Sequence, residues 1–563
     1  MTKRGALTIA ACFAAFILAS LPAWREPIMG DEVYIALAMK AVSRPEMMSY
    51  LRGLNPLFGL WHPPAYVHLG ALLGGFFGFG EAAIRLMGIA SFLVSLVLIW
   101  LIAEGTCEDP ADGGTVAGLA CAIFAFNPLA VRGAMLVDID GSILNAALLL
   151  FMYAMSRTKD LSTGKFAGLS VLFALSLWTK LTTPPILIGA MLLRRVIRRD
   201  GAGLLRVAAV AAVGTAAFLA TWAWYARAHG LPFDIIFGHL INTLTGFASR
   251  KTSSASAAGP ARTIWTLLVW CSPSFLLLGV AACLKTSFEN TREDSLLPIQ
   301  DIALYGLCAL AAYMVIGGIT HTFPKYHYAI LAPLAIVMAR SARGLLGTET
   351  KTIVIAALIF AVYGVLIVGD PLYAVNYALK EGMIHGGTAR SLAFKAGLPT
   401  ALLLLAPPTC YAFFRFAKTS APLRDSLAAT MLAANLALLI VQARAGYNTV
   451  YCYGGAGVKE AADFVRANTD PTKPILAPPE IDYLANDDVR TFDISDRAML
   501  HDAPTFMKTV RESGSPCVVY GVTGNTVEQY QNVFNNPEVR AFLESGYTRR
   551  DIGSYSVWLK KRA

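Results

Sequence analysis

The stretch Arg25–His68, REPIMGDEVYIALAMKAVSRPEMMSYLRGLNPLFGLWHPPAYVH, decides how the rest of the chain is read. It follows one apolar run and precedes another, opens on the acidic pair Asp31–Glu32, and closes on His62-Pro63-Pro64. Between those ends it is polar, aromatic and broken by proline, as expected of a loop lying against a membrane. Carboxylates held at a bilayer surface are costly unless they are solvated or used. Taken alone, Asp31 and Glu32 can be read simply as the end of a span, so the rest of the chain has to decide.

Working outward, composition makes the surroundings apolar. Of 563 residues, 56% are hydrophobic and 15% charged, and the mean hydropathy is +0.54. Soluble domains carry roughly 25% charged residues. Repeated apolar runs therefore predict a mainly α, polytopic membrane helix bundle. We read about thirteen transmembrane helices, near 6–24, 84–103, 115–131, 141–156, 166–179, 182–197, 207–225, 263–283, 300–318, 328–339, 352–369, 397–416 and 426–445. The first run follows Lys3-Arg4 and exceeds the usual h-region of roughly 7–15 residues, which predicts an uncleaved signal-anchor. The segment 63–80 is short and Gly-rich and carries His68. It reads either as a further span or as an interfacial helix of the first outer loop, 25–83.

Charge placement separates the two readings. With 63–80 interfacial, the basic clusters Arg157/Lys159/Lys165, Arg194/Arg195/Arg198/Arg199, Arg340/Arg343 and Arg415/Lys418/Arg424 all face the cytoplasm. With it spanning, the four-arginine cluster falls outside, against the positive-inside rule. In the interfacial reading the loop 104–114, acidic and without Lys or Arg, is the exception to the rule. The net charge of +10 is thus a matter of orientation and anionic lipid contact. No zinc-finger spacing or aromatic-plus-basic RNA motif accompanies it, which speaks against nucleic acid.

Composition shifts after Gly446. The final 118 residues hold thirteen Lys/Arg and fifteen Asp/Glu, a soluble-domain proportion. Strand-like runs at Pro474–Ala477, Cys517–Val522 and Tyr555–Leu559 alternate with amphipathic helical patterns at Val458–Asn468 and Thr505–Ser513. We therefore expect a transmembrane domain over 1–445 and a C-terminal soluble α/β domain over 446–563, outside the cytoplasm. Gly521–Gly524 has the wrong spacing for a phosphate loop and reads as a turn, and Lys251–Pro260 as a flexible outer loop. Of nine scattered cysteines, Cys452 and Cys517 lie in the tail, where pairing is open.

The same parity gathers polar residues on one face: Asp31, Glu32, His62 and Arg85, then Asp138 and Asp140, then Lys180, then His321, Lys325, Tyr326 and His327. Each has a plainer reading. An aspartate of the second loop can cap the helix starting near Ser142, Lys180 can snorkel from a helix end, and Arg85 can pair with Glu81 one turn earlier. His321, Lys325 and His327 can be interface anchors, and the proline pairs at 63–64 and 184–185 can be breaks alone.

In order along the chain stand an acidic residue after the first span, His62-Pro63-Pro64, Arg85-Leu86, the Asp138/Asp140 loop and Trp178-Thr179-Lys180. This ordered set resembles membrane glycosyltransferases of the GT-C superfamily, in particular the aminoarabinose lipid A transferases and the protein O-mannosyltransferases. The motifs cover about residues 1–200, and the architecture the remainder. The resemblance implies a polyprenyl-phosphate sugar donor and a lipid, glycan or protein acceptor. It matches Asp31 to the family's first-loop aspartate and Asp138 or Asp140 to its second. His62 stands where the aminoarabinose enzymes favour lysine, and Lys180-Leu-Thr replaces Lys-Gly-Pro, departures that point to a different sugar or acceptor.

On this reading Asp31, Glu32, Asp138 and Asp140 are the catalytic candidates, with Asp31 as base. His62, Arg85, Lys180, Lys325 and His327 are candidates to bind the donor phosphate. A divalent cation is compatible with the available Asp, Glu and His, but no spacing suited to one stands out. Two other classes compete. A lipid or glycolipid transporter or flippase predicts repeat symmetry and charges near mid-bilayer, and neither is clear. An assembly protein would leave the outer carboxylates expendable.

Overall fold

The structure, a computed structural model, describes residues 3–28, 31–43, 62–107, 109–237, 267, 271, 273–289, 295–316, 324–342, 352–362, 408–419, 422–445, 457–485, 502–521 and 533–561. In chain order the longer helices are α1 (Lys3–Ser20), α2 (Asp31–Val42), α3 (Ala65–Phe77), α4 (Glu81–Gly105), α5 (Pro110–Ala125), α6 (Pro128–Met135), α7 (Ile143–Ser156), α8 (Thr163–Thr179), α9 (Thr183–Ile197) and α10 (Gly201–His229). They continue as α11 (Pro273–Ser287), α12 (Ile299–Ile316), α13 (Tyr328–Ala342), α14 (Pro422–Ala445), α15 (Val458–Asn468), α16 (Pro479–Ala485), α17 (Ala503–Ser513) and α18 (Pro537–Gly546). Among the described residues the tail has three strands: β1 (Cys517–Gly521), β2 (Tyr547–Ile552) and β3 (Tyr555–Lys560). The chain is mainly helical with one small sheet.

Two compact units result. One comprises Met1–Trp24, Met87–Arg227 and Pro232–Gly446; the other comprises Arg25–Leu86, Ala228–Leu231 and Tyr447–Ala563. The stretch Arg25–Leu86 thus clusters with the C-terminal residues rather than with the helices that precede and follow it in sequence.

The first unit is a bundle of apolar helices with an apolar exterior. Leu7, Leu18, Leu205 and Trp224 are each about 70% exposed, as suits a surface solvated by lipid rather than water. Inside, Phe16 stacks on Phe92 with ring centroids 3.9 Å apart, and Phe124 packs against both Phe92 and Tyr328. Thirteen spans were expected. Among the described residues, three helices are long and apolar enough to cross a membrane: Lys3–Trp24, Glu81–Gly105 and Gly201–His229. A fourth arises if the pair α5 and α6, bent by 63°, counts as one span. Many remaining segments are helical near their expected bounds but short. The 14 residues of α7 rise only about 21 Å, against a hydrocarbon core of about 30 Å.

The bend has a local cause. Pro128 cannot continue α5, and Asn127 starts a new helix by accepting from the N–H groups of Leu129 (2.9 Å) and Ala130 (3.2 Å). Helices α9 and α12 run antiparallel, since Thr183 meets Tyr313 at one end while Arg194 and Arg195 share Asp301 at the other. The largest basic cluster therefore begins at the end of this pair opposite Thr183.

In the second unit, α3 is a 13-residue helix, too short by itself to cross, and it packs on α2. A Cβ on Gly70 would collide with the Met39 side chain. The tail sheet has the order β1-β3-β2, antiparallel throughout, with one parallel bridge from Leu476 to Val518. Its strands are joined by a hairpin, where Gly553 (φ 58°) makes the tight turn between paired Ile552 and Tyr555. Side chains alternate across the sheet. Cys517, Val519 and Val557 face Val458, Ala461 and Val465 of α15. Val518 and Trp558 face Phe506, Phe534 and Leu543. The expected helix at Thr505–Ser513 starts at Ala503, and strand β2 and helices α16 and α18 were not anticipated. Lys251–Pro260, Cys452 and the end of the Gly521–Gly524 turn lie outside the described residues.

Candidate active site

The second-loop aspartates, Lys180, Lys325 and His327 all belong to the first unit and come together there. The turn carrying Asp138 and Asp140 follows α6. Gly141 lies so close to the Gly133 carbonyl that any Cβ would strike it, which pins the turn against α6. Neither aspartate caps α7. Ser142 occupies the cap position, and its hydroxyl turns back to donate to the Asp138 carbonyl at 2.5 Å. That leaves both carboxylates for other work.

Each takes a lysine. Lys180 Nζ lies 2.5 Å from Asp140 Oδ1 and 2.8 Å from Oδ2, and Lys325 Nζ lies 2.8 Å from Asp138 Oδ2. The Asp140 N–H donates to Asp138 Oδ1 at 3.3 Å, linking the pairs. Lys180 is placed by α8, whose last carbonyls hold its backbone, and Lys325 by the short 3-10 turn Pro324–His327. The two ammonium groups share an aromatic wall. Lys180 Nζ is 4.6 Å from the Tyr326 ring and 5.8 Å from Tyr313, while Lys325 Nζ is 5.5 Å from Tyr326. Tyr313 stacks on Tyr326 and takes His327 edge-on, and its hydroxyl bonds Thr183 and Thr182.

Lys180 does not snorkel. It is buried with only 2% of its side chain exposed, whereas Lys325 keeps 17% and is the more accessible ammonium group of the two. Burial opposes the Lys180 charge, but Asp140 outweighs it and holds the group above the usual ammonium range. Burial pushes Asp140 above the usual carboxylate range, with Asp138 adding to the shift and Lys180 opposing it. For Asp138 burial acts upward too, but Lys325 and then Lys180 bring it below that range. His327 is buried, and desolvation drives its imidazole down to about 3. It therefore stands in the site as a neutral ring and offers hydrogen bonds rather than the positive charge expected of it.

The first-loop candidates belong to the second unit. Asp31 opens α2, and its side chain lies outside what the structure describes. Glu32, beside it in the first turn, is 2% exposed. Carboxylates are favoured there by the partial positive charge of a helix start. His62 is half-buried just ahead of α3. Arg85 is buried, and its Nη1 donates to the carbonyls of Glu26 (2.8 Å) and Glu81 (3.4 Å). The Glu81 carboxylate meets Lys459 at 3.1 Å. His321 lies outside the described residues.

Among the described residues, no three His, Cys, Asp or Glu side chains come together as a metal site. Sequence reasoning missed Tyr313 and Thr183. Their only signal was hydroxyl groups placed inside or beside apolar runs.

No protein-family model matches the chain, and no curated protein matches it by sequence. Solved structures do. ArnT from Cupriavidus metallidurans bound to undecaprenyl phosphate superposes over 98% of this chain and 97% of its own, with TM-score 0.62 and 16% identity. The chain shares the fold of ArnT. The apo state of the same ArnT gives TM-score 0.56 at 14% identity, over the same shares of both chains. The archaeal oligosaccharyltransferase AglB from Archaeoglobus fulgidus covers 98% of this chain at 11% identity, but its TM-score of 0.43 is too low to carry an argument. Three of the described helices in this ArnT-like fold are long and apolar enough to cross a membrane. The resemblance read from the order of motifs along residues 1–200 holds at the level of the fold.

Proposed function

We propose that the chain is an integral membrane glycosyltransferase. It moves a hexosyl or pentosyl group from a polyprenyl-phosphate donor to an acceptor hydroxyl of lipid A, an envelope glycan or a protein. The reaction takes place on the outer face of the inner membrane, with thirteen crossings and the C-terminal domain outside the cytoplasm. The observation that carries this reading is the linked pair of buried lysine–aspartate contacts, Lys180–Asp140 and Lys325–Asp138, in a chain with the fold of an undecaprenyl-phosphate-bound ArnT. A transporter needs no such set of charges gathered at helix ends.

In the reaction the acceptor oxygen attacks the anomeric carbon, the bond from that carbon to the phosphate oxygen breaks, and the polyprenyl phosphate leaves with the electron pair. The transition state is oxocarbenium-like, as in glycosidases. Asp31 takes the acceptor proton, and Glu32 orients acceptor or sugar. The departing phosphate is a stable anion that needs positive charge more than a proton. Lys325 supplies that charge most directly, as the more exposed of the two site lysines. Arg85 and His62 are the first-loop candidates for binding the donor phosphate. Lys180 keeps Asp140 charged and in place, and neutral His327 donates or accepts at the same wall.

Replacing Asp31 by asparagine tests the reading, with transfer measured in vesicles supplied with lipid-phosphate sugar. A general base contributes roughly 10²–10⁴-fold, so a loss in that range is expected at normal protein level. Full turnover by the variant, or equal turnover with a nucleotide sugar, would overturn it.

A further inference from the structure

We propose that Lys40 and Tyr483 are positioning residues for transfer, and that the C-terminal domain serves to hold the helix carrying Asp31. The proposal rests on the reading of Asp31 as the base. Lys40 lies nine residues beyond Asp31 on α2, in a helix buried on nearly all sides: Val33, Ala36, Leu37, Ala38 and Met39 are each at most 1% exposed. Lys40 itself is buried, and its ammonium donates to the Tyr483 carbonyl at 2.7 Å while lying 4.2 Å above the Tyr483 ring. Tyr483 is buried on α16 of the tail, 443 residues away in sequence.

The same tyrosine reaches a second point of the first loop. Its hydroxyl donates to the Phe79 carbonyl at 2.6 Å, in the turn between α3 and α4. Two residues further on, Glu81 takes Lys459 of α15 at 3.1 Å. One short tail helix thereby grips both the α2 end and the turn closing the first loop, with α15 holding alongside.

Apolar packing alone does not require this. Burying an ammonium group is costly, and an uncharged side chain of similar length would fill the space. A directional bond to a carbonyl does what packing does not: it fixes the helix along and about its axis. Displacement of a reacting group by about 1 Å is enough to cost roughly 10²-fold in rate, so the α2 anchor acts on Asp31 through the rigid helix.

The test uses the full chain in vesicles, with turnover of a lipid-phosphate sugar and deuterium uptake across 31–42 as readouts. For Lys40→Met and Tyr483→Ala we expect kcat to fall roughly 10–100-fold, donor KM to stay within about twofold, and uptake across 31–42 to quicken. Lys40→Arg, which keeps a donor, should recover most of kcat. Tyr483→Phe keeps the ring and the fold and loses only the Phe79 bond. It should lower kcat several-fold and speed uptake at 78–80. Unchanged uptake in Lys40→Met or Tyr483→Phe overturns the anchor, as does KM rising in step with the fall in kcat. Full turnover by Asp31→Asn removes the catalytic reading instead, while the uptake result still decides whether the tail holds α2.

Discussion

The two units bury lysine in different ways. In the first, Lys180 and Lys325 each face a carboxylate. In the second, Lys40 bonds a backbone carbonyl under an aromatic ring. The difference bears on what each lysine can do. An ammonium group paired with a carboxylate is matched charge to charge, and an arriving phosphate offers the same chemistry, so the partner can be exchanged. A carbonyl dipole is a weaker but strictly directional partner, tied to one backbone position. The first arrangement suits a site that meets an anion, and the second suits a fastening.

Replacing the lysines by methionine would break this comparison most sharply. Lys180→Met strands Asp140 as a buried carboxylate without its 2.5 Å partner, and breaking such a pair costs about 3–5 kcal/mol. Lys40→Met leaves a buried carbonyl short of a donor, which costs about 1–3 kcal/mol. Thermal unfolding in detergent should rank them in that order, and Lys180→Met with Asp140→Asn should recover much of the loss. Equal losses would mean that the two burials are energetically alike. Lys325→Met, at the more exposed pair, should instead cost turnover by about 10²–10³-fold, with a smaller loss of stability.

A buried carboxyl group in the second unit sharpens the contrast. Glu480 precedes Tyr483 on α16 and bonds the Tyr555 hydroxyl at 3.1 Å. Burial pushes its carboxyl up to about 7, the Tyr555 bond opposing. Unfolded, the group ionises near the ordinary glutamate value, about 4.3. Its contribution to stability is therefore complete below that pH and is lost as pH rises toward 7, because only the unfolded chain gives up its proton across that window. The protection of tail amides in the full chain, taken relative to the intrinsic exchange rate at each pH, should fall from about pH 4.5 to 7 by an amount on the order of a few kcal/mol. Glu480→Gln should flatten the profile. A profile that slopes the other way would show an ionised Glu480.

The smallest effect expected lies at a helix start. Asp502 accepts the Thr505 N–H at 2.8 Å and caps α17. Asp502→Ala should lower tail stability by about 1 kcal/mol, below the effect of any buried lysine.

The residues of the candidate site stand out in the sequence one by one, and less so as pairs. Charges bordering apolar runs stand out because a membrane makes them expensive, so Asp138, Asp140, Lys180 and Lys325 could be picked out one by one. Pairing Lys325 with Asp138 spans 187 residues, a distance that no local pattern encodes. Tyr313 was missed because a tyrosine in an apolar run reads as core until its hydroxyl is seen to meet Thr182 and Thr183.

The sequence by itself determined that most of the chain is apolar helix, where the composition changes, and which charges the apolar runs leave conspicuous. Each follows from hydropathy and residue spacing, which are local. The tertiary structure alone decided that the stretch Arg25–Leu86 joins the C-terminal residues in one unit. It also decided which lysine takes which aspartate and that Lys180 is sealed while Lys325 is not. Those outcomes depend on which buried charge reaches a partner when distant segments close on each other, and that free energy is settled only in three dimensions.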